Sequence, residues 1–214
     1  MSKIEDLIKQ HCPNGVEYKE LSEVCKFQNG FAFKSGLFKS AGEPILRITN
    51  IQNKGIDTSN LVYFNPNDYK VNLEQYKIRK NDIVVAMSGA TTGKIGINLS
   101  EKILYLNQRV GKFAPNNKVI QNGFLYHFLL TKTQELLAIS SGSGAQPNLS
   151  SEQLKKIKIP VPPLPVQEEI VKILDAFTEL EKELEKELEK RKQQYEYYRN
   201  KLLTFDENTT GGGY

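Results

Sequence analysis

The sequence predicts a mixed α+β domain of about 150 residues followed by a long C-terminal coiled-coil helix. Three observations carry this. Strand-like segments rich in β-branched and aromatic residues fill the chain up to about residue 115, apolar residues recur at helical spacing over 124–139, and Val166 to Leu203 contains neither Gly nor Pro.

In chain order, residues 2–11 form a short amphipathic helix with Ile4, Leu7 and Ile8 on one face, ended by Pro13 and Gly15. "PILRITNI" (44–51), "DIVVAMS" (82–88), "KIGINL" (94–99) and "ILYLNQRVGKFA" (103–114) follow as strands bounded by Gly, Asn and Pro. "FLYHFLLTKTQELLAI" (124–139) is helical and stops at Ser140. "SGSGAQPNLS" (141–150) is a polar loop, after which Ser150 or Ser151 caps a helical turn through Leu154. "PVPPLP" (160–165) makes a stiff joint, because each proline lacks an N–H and restricts the residue before it. The expected organisation is a globular domain over 1–159, the joint, a long helix over 166–204 and a disordered tail over 205–214.

The long helix carries Ile170, Ile173, Phe177, Leu180, Leu184, Leu188, Tyr195, Tyr198 and Leu202, mostly in alternating steps of three and four. Two consecutive steps of four, Leu180 to Leu184 to Leu188, form a stutter that locally unwinds a supercoil. So narrow a seam cannot be buried by its own helix, so these residues are expected to meet a partner helix.

Composition excludes several classes. The 39% of hydrophobic residues suffices for a core, and no apolar run approaches the roughly 18 residues of a membrane span. Cys12 and Cys25 suggest neither a disulfide framework nor a zinc site, and with no signal-peptide core in the first dozen residues the expected setting is cytoplasmic. Residues 1–150 carry 18 Lys and Arg against 12 Asp and Glu, a net +6, whereas 151–214 carry 11 against 13, a net −2. A basic front half suits a polyanion.

"MSGATTGKIGI" (87–97) superficially resembles a phosphate-binding loop. Gly89 and Gly93 enclose only three residues, and Ile95 stands where a metal-binding hydroxyl belongs. The stretch therefore reads as strand, turn, strand, with Ser88, Thr91, Thr92 and Lys94 at the tip. No Asn-Pro-Pro-aromatic or Asp-Pro-Pro-Tyr segment supports methyl transfer. Asp68, Glu74 and Lys77 lie in loop-like sequence unsuited to a magnesium nuclease core, and His11 and His127 have no catalytic partner nearby. No cofactor is indicated.

Nucleic-acid recognition is better supported. "RITNIQNKG" supplies Arg47, Asn50, Gln52, Asn53 and Lys54, and "LNQRVGK" supplies Asn107, Gln108, Arg109 and Lys112. Arg pairs with guanine, and Asn or Gln with adenine, at base edges. Loop hydroxyls and Lys34, Lys94 or Lys112 suit phosphates. A competing expectation is a coiled-coil assembly protein whose globular domain binds another protein.

Five stretches in order resemble the DNA-specificity subunits of type I restriction-modification systems: "YKELSEVCKFQNGFAFKS" (18–35), "GEPILRITNIQNKGI" (42–56), "YKIRKNDIVVAMSGATTGKIG" (76–96), "YLNQRVGKFAP" (105–115) and "SGSGAQPNLSSEQLKKIKIPVPPLPVQEEIVKILD" (141–175). The resemblance implies a target-recognition domain with a curved, largely antiparallel sheet and short helices, then a spacer helix. It implies no catalysis by this chain, adds Gln146 and Asn148 to the candidate DNA contacts, and gives as partners double-stranded DNA, methyltransferase (modification) subunits and a restriction subunit. A whole subunit has two recognition units and two antiparallel helices. This chain has one of each, as a natural half-subunit or an excised fragment, so a homodimer reading an inverted repeat with a central gap is expected. Smaller departures are Asn81, where the family often has Gly, and Val166, where it often has Glu.

Overall fold

The computed structural model describes residues 3–52, 55–140 and 147–205, and the chain divides into two compact units, Met1–Val171 and Lys172–Tyr214. The first unit runs α1 (Lys3–His11), β1 (Tyr18–Glu20), α2 (Leu21–Val24), β2 (Cys25–Asn29), β3 (Glu43–Leu46), β4 (Ile51–Gln52), β5 (Gly55–Ile56), β6 (Val62–Phe64), β7 (Lys77–Ile78), β8 (Ile83–Ala86), β9 (Ile95–Ile97), β10 (Leu104–Leu106), β11 (Val110–Pro115), α3 (Asn122–Thr131), α4 (Thr133–Ser140), α5 (Ser151–Lys155), β12 (Lys158–Pro160) and the first two turns of α6 (Leu164–Leu203).

One four-stranded sheet, ordered β2-β11-β8-β9, is antiparallel throughout. A second, β6-β3-β10-β7, is antiparallel except where β3 and β10 run parallel. The fold is thus α+β with a largely antiparallel pairing.

Strand β8 shows why the sheets stack. Ile83 and Val85 pack against residues of α3, α4 and α5, such as Leu125, Leu136 and Leu154, while Val84 and Ala86 pack on Leu46, Leu104 and Leu106 of the second sheet. All four β8 side chains are fully buried, so this strand reads as a continuous apolar run without alternation. Burying each such aliphatic side chain contributes about 1.5–3 kcal/mol. An aromatic cluster of Phe31, Phe33, Phe64, Tyr69 and Tyr105 adds edge-on ring contacts to the second sheet.

Three expected elements are broken by turns. The strand over 44–51 is interrupted by a 3-10 turn at Ile48–Asn50, because the Asn50 carboxamide oxygen accepts the Arg47 N–H at 3.0 Å and folds the chain back. The strand over 103–114 divides into β10 and β11 at Asn107–Arg109, where the Val110 N–H returns to the Asn107 carbonyl at 2.8 Å. The helix over 124–139 divides at Lys132, where Thr131 and Thr133 hydroxyls bond the carbonyls of Phe128 and Leu130.

Both family departures fit their places. Asn81 has φ +69°, a left-handed conformation that Asn tolerates better than other side-chain-bearing residues. Val166 is buried at 2% exposure beside Gln167, which is wholly buried. The Gln167 carboxamide accepts the Gln121 N–H at 2.8 Å and donates to the carbonyls of Pro162 at 2.7 Å and Val119 at 3.0 Å, anchoring the first turn of α6. That helix begins at Leu164, with Pro165 in its first turn, where a missing N–H costs nothing. Cys12 and Cys25 are free and buried, and burial pushes the Cys25 thiol up to about 12.

The second unit is the remainder of α6. Phe177, Leu180, Leu184 and Leu188 line one helical face and are 50–64% exposed, and Tyr195, Tyr198 and Leu202 continue it, also exposed. Asp206 onward lies outside the described residues. Among the described residues no helix is long and apolar enough to cross a membrane, and no cluster of His, Cys, Asp and Glu could hold a metal ion.

Candidate nucleic-acid interface

The hairpin of β8 and β9 supplies the framework. Its turn is closed by the Gly93 N–H on the Ala86 carbonyl at 2.9 Å and contains a 3-10 turn at Gly89–Thr91. Gly93, at φ +83°, lies so close to α4 that a Cβ would sit 3.1 Å from the Leu136 Cβ and from the Thr133 carbonyl oxygen. The turn is thereby held against the domain.

Three other segments gather around this turn through hydrogen bonds. Thr91 Oγ1 donates to the Ile48 carbonyl at 3.2 Å, bringing in the 47–50 turn. The Met87 N–H donates to the Arg109 carbonyl at 2.9 Å, bringing in 107–109. The Gly89 N–H reaches the Pro147 carbonyl at 3.3 Å, and the Leu149 N–H reaches the Met87 carbonyl at 2.7 Å, fixing 147–149. Gly30 allows a further close approach, since a Cβ there would lie 1.9 Å from the Asn107 carbonyl oxygen.

The result is an open cleft of about 410 Å³ lined by Ser88, Gln108, Arg109, Pro147 and Asn148. Gln108, Arg109 and Asn148 are exposed, and among the described residues that line the cleft none is acidic. The Ser88 hydroxyl is buried without a hydrogen-bond partner among the described residues, as is the Arg47 Nε. The cleft therefore presents one cation and two carboxamides, with a buried, unpartnered hydroxyl beside them. Four candidates, Ser88, Gln108, Arg109 and Asn148, are thus brought together from three segments distant in sequence.

Other candidates are placed differently. Asn50 is 3% exposed, its carboxamide engaged by the Arg47 N–H and the Asn60 carbonyl, so it shapes its turn and cannot reach a base. Thr92 is also 3% exposed, with its hydroxyl directed at the Gly89 carbonyl at 2.6 Å. Thr91 holds two turns together, as described above. The Lys112 ammonium donates to the Lys77 carbonyl at 2.6 Å and pairs with Asp82 at 3.2 Å, which removes it from phosphate contact. Arg47 and Asn107 are half-buried beside the cluster. Lys94 is half-buried at the start of β9, while Lys34 and Gln52 are exposed outside the cleft lining. Asn53, Lys54 and Gln146 lie outside the described residues.

On α6, Ile170 packs partly against the core of the first unit, because the anchored first turns of the helix lie on it. Ile173 is half-buried, and Phe177 onward is open. Two residues escaped sequence reasoning. Pro147 lines the cleft, signalled only by its place in "QPNLS", and Gln167 anchors the helix, signalled only by following the proline joint.

Fold and site define a class: an α+β domain with an open polar cleft, continued in sequence by a helix bearing an apolar seam. The chain belongs to the type I restriction modification DNA specificity domain family, whose model matches residues 13–190. It is 35% identical to a putative type I restriction enzyme specificity subunit, S.HindORF215P, of Haemophilus influenzae, over 90% of this chain and 47% of that protein. It is 32% identical to the MjaVIII specificity subunit of Methanocaldococcus jannaschii, over 89% and 45%. Its fold resembles the crystal structure of the S subunit of a type I restriction-modification system from M. genitalium, with a TM-score of 0.58 at 20% identity, covering 91% of this chain and 48% of that one. The chain thus spans about half the length of these relatives.

Proposed function

We propose that the chain recognises double-stranded DNA by sequence, without itself performing chemistry, as the specificity component of a type I restriction-modification assembly. One observation carries this reading: exposed Arg109, Gln108 and Asn148, the side-chain types that pair with guanine and adenine edges, converge on one open cleft from separate loops. Ser88 offers an unpartnered hydroxyl beside them, and Arg47 and Lys94 near the same turn suit phosphates. The net +6 of residues 1–150 favours a polyanion.

The exposed seam of α6 pairs two copies as an antiparallel coiled coil, so that two identical reading heads address an inverted repeat with a central gap. The same paired helices and flanking surfaces dock methyltransferase subunits and, through them, a restriction subunit. Binding of the purified chain, alone and with its modification subunit, to a randomised duplex pool at several salt concentrations tests this. Enrichment of a defined motif, with affinity falling steeply as salt rises, supports it. No motif and no salt dependence under either condition contradicts it, and favours a protein-binding domain.

A further inference from the structure

Helix α6 beyond Lys172 is divided by charge. Residues 179–189 contain six Glu and two Lys, a net −4, while 190–201 contain five Lys or Arg and one Glu, a net +4. The exposed seam runs through both blocks to Leu202, which is 69% exposed, one residue before the helix ends at Leu203. Between Leu188 and Tyr195 the seam position falls on Arg191, whose Nε bonds Glu187 on the same helix at 2.8 Å.

A parallel pair in register would set the acidic block against the acidic block and the basic against the basic. Only an antiparallel pair sets −4 against +4, and the flanking charges then select the alignment. The stutter restarts the seam at Leu188, so Glu181 and Glu183 flank its first half while Arg199 and Lys201 occupy the equivalent flanks of its second half.

We propose that the occupant of this face is a second copy of the chain in one charge-selected antiparallel register. In it Leu180 faces Leu202 of the second copy, Leu184 faces Tyr198 and Leu188 faces Tyr195. Glu181 then lies beside Arg199 of the second copy and Glu183 beside Lys201, each twice by symmetry. Arg191 meets its own counterpart at the twofold axis, where Glu187 on each helix offsets the charge. Sliding the pair by seven residues in one direction sets Leu184 against Arg191 on both sides and replaces Lys201 by Gln194 opposite Glu183. Sliding it in the other leaves Leu180 and Leu184 without a counterpart on the second helix, which ends at Leu203.

This assignment rests on the self-association proposed above, and its test separates the two. Sedimentation of the unaltered chain reports self-association, and a monomer at all concentrations overturns both readings. Within a dimer, mild oxidation of a mixture of Leu180→Cys and Leu202→Cys chains should give a mixed disulfide that neither variant forms alone. The unaltered chain, whose two cysteines are buried, serves as the blank. Disulfides formed by Leu180→Cys alone would show a parallel pair. Preferential joining of Leu180→Cys to Tyr195→Cys would show the shifted register, and either result overturns the assignment. Charge reversal gives an independent readout. Glu181→Lys with Glu183→Lys, and separately Arg199→Glu with Lys201→Glu, should each weaken the homodimer at least about tenfold at low salt. Mixing the two reversed chains should restore association, because every flanking pair is again opposite in sign. Failure of the mixture to recover would contradict the pairing.

Discussion

The turn cluster of the first unit and the seam of the second leave opposite kinds of group open. Among the described candidates, Asn50, Thr91, Thr92 and Lys112 are engaged by the fold itself, whereas the exposed Gln108, Arg109 and Asn148 line the open cleft and the Ser88 hydroxyl is left without a hydrogen-bond partner. Along α6 the polar side chains face water, while Phe177, Leu180, Leu184 and Leu188 remain 50–64% exposed. The contrast teaches that residue type does not mark a binding surface. What marks it is bonding or burial potential that the chain does not itself satisfy. Asn50 and Asn148 are chemically identical, yet one builds a turn and the other lines the cleft.

That distinction can be broken by substitution. The largest effect is expected from the core and the seam compared. Leu125→Ala, at a wholly buried position, should lower the unfolding free energy of the first unit by about 2–5 kcal/mol. Leu184→Ala should leave that unfolding within about 0.5 kcal/mol, a surface value, while weakening self-association measured by sedimentation. Equal losses of unfolding free energy would show that the seam is already covered within one chain.

The two asparagines give the next contrast. Asn50→Ala should destabilise the domain by about 1–3 kcal/mol in denaturant unfolding, because it strands the Asn60 carbonyl and the Arg47 N–H. Asn148→Ala should leave unfolding nearly unchanged and reduce discrimination at one base position. Arg109→Ala should cost about 1–3 kcal/mol of discrimination at a single base pair. A loss spread evenly over all sequences would make Arg109 a phosphate contact. The smallest effect belongs to Lys94→Ala, expected to weaken all duplexes alike and to lower the salt slope by about one. Thr92→Val should act chiefly on stability, since the hydroxyl bonds the Gly89 carbonyl.

Much of the fold was legible in the sequence. The strands around 82–88 and 94–99 and the long helix announced themselves through β-branched runs and through the absence of Gly and Pro, because those signals are local. The breaks at Asn50, Asn107 and Lys132 were not legible, since each depends on a hydrogen bond whose acceptor or donor a linear pattern does not reveal. The candidate site was legible in composition and less so in membership. Arg109 and Gln108 stood out as base-pairing types, but nothing in "RITN" distinguishes an engaged Asn50 from a free one, because its carboxamide donates to the Asn60 carbonyl, ten residues away. Pro147 contributes backbone to the cleft, and backbone contacts leave no mark on residue type.

The central claim is that sequence is read by the side chains of the cleft formed by 88, 108–109 and 147–148. Selection from a randomised duplex pool by the full chain, beside a Gln108→Ala, Arg109→Ala, Asn148→Ala variant, tests it most directly. The unaltered chain should enrich a two-part inverted motif, and the variant should lose that motif while keeping salt-dependent binding and normal unfolding. Enrichment of the same motif by the folded variant would contradict the account.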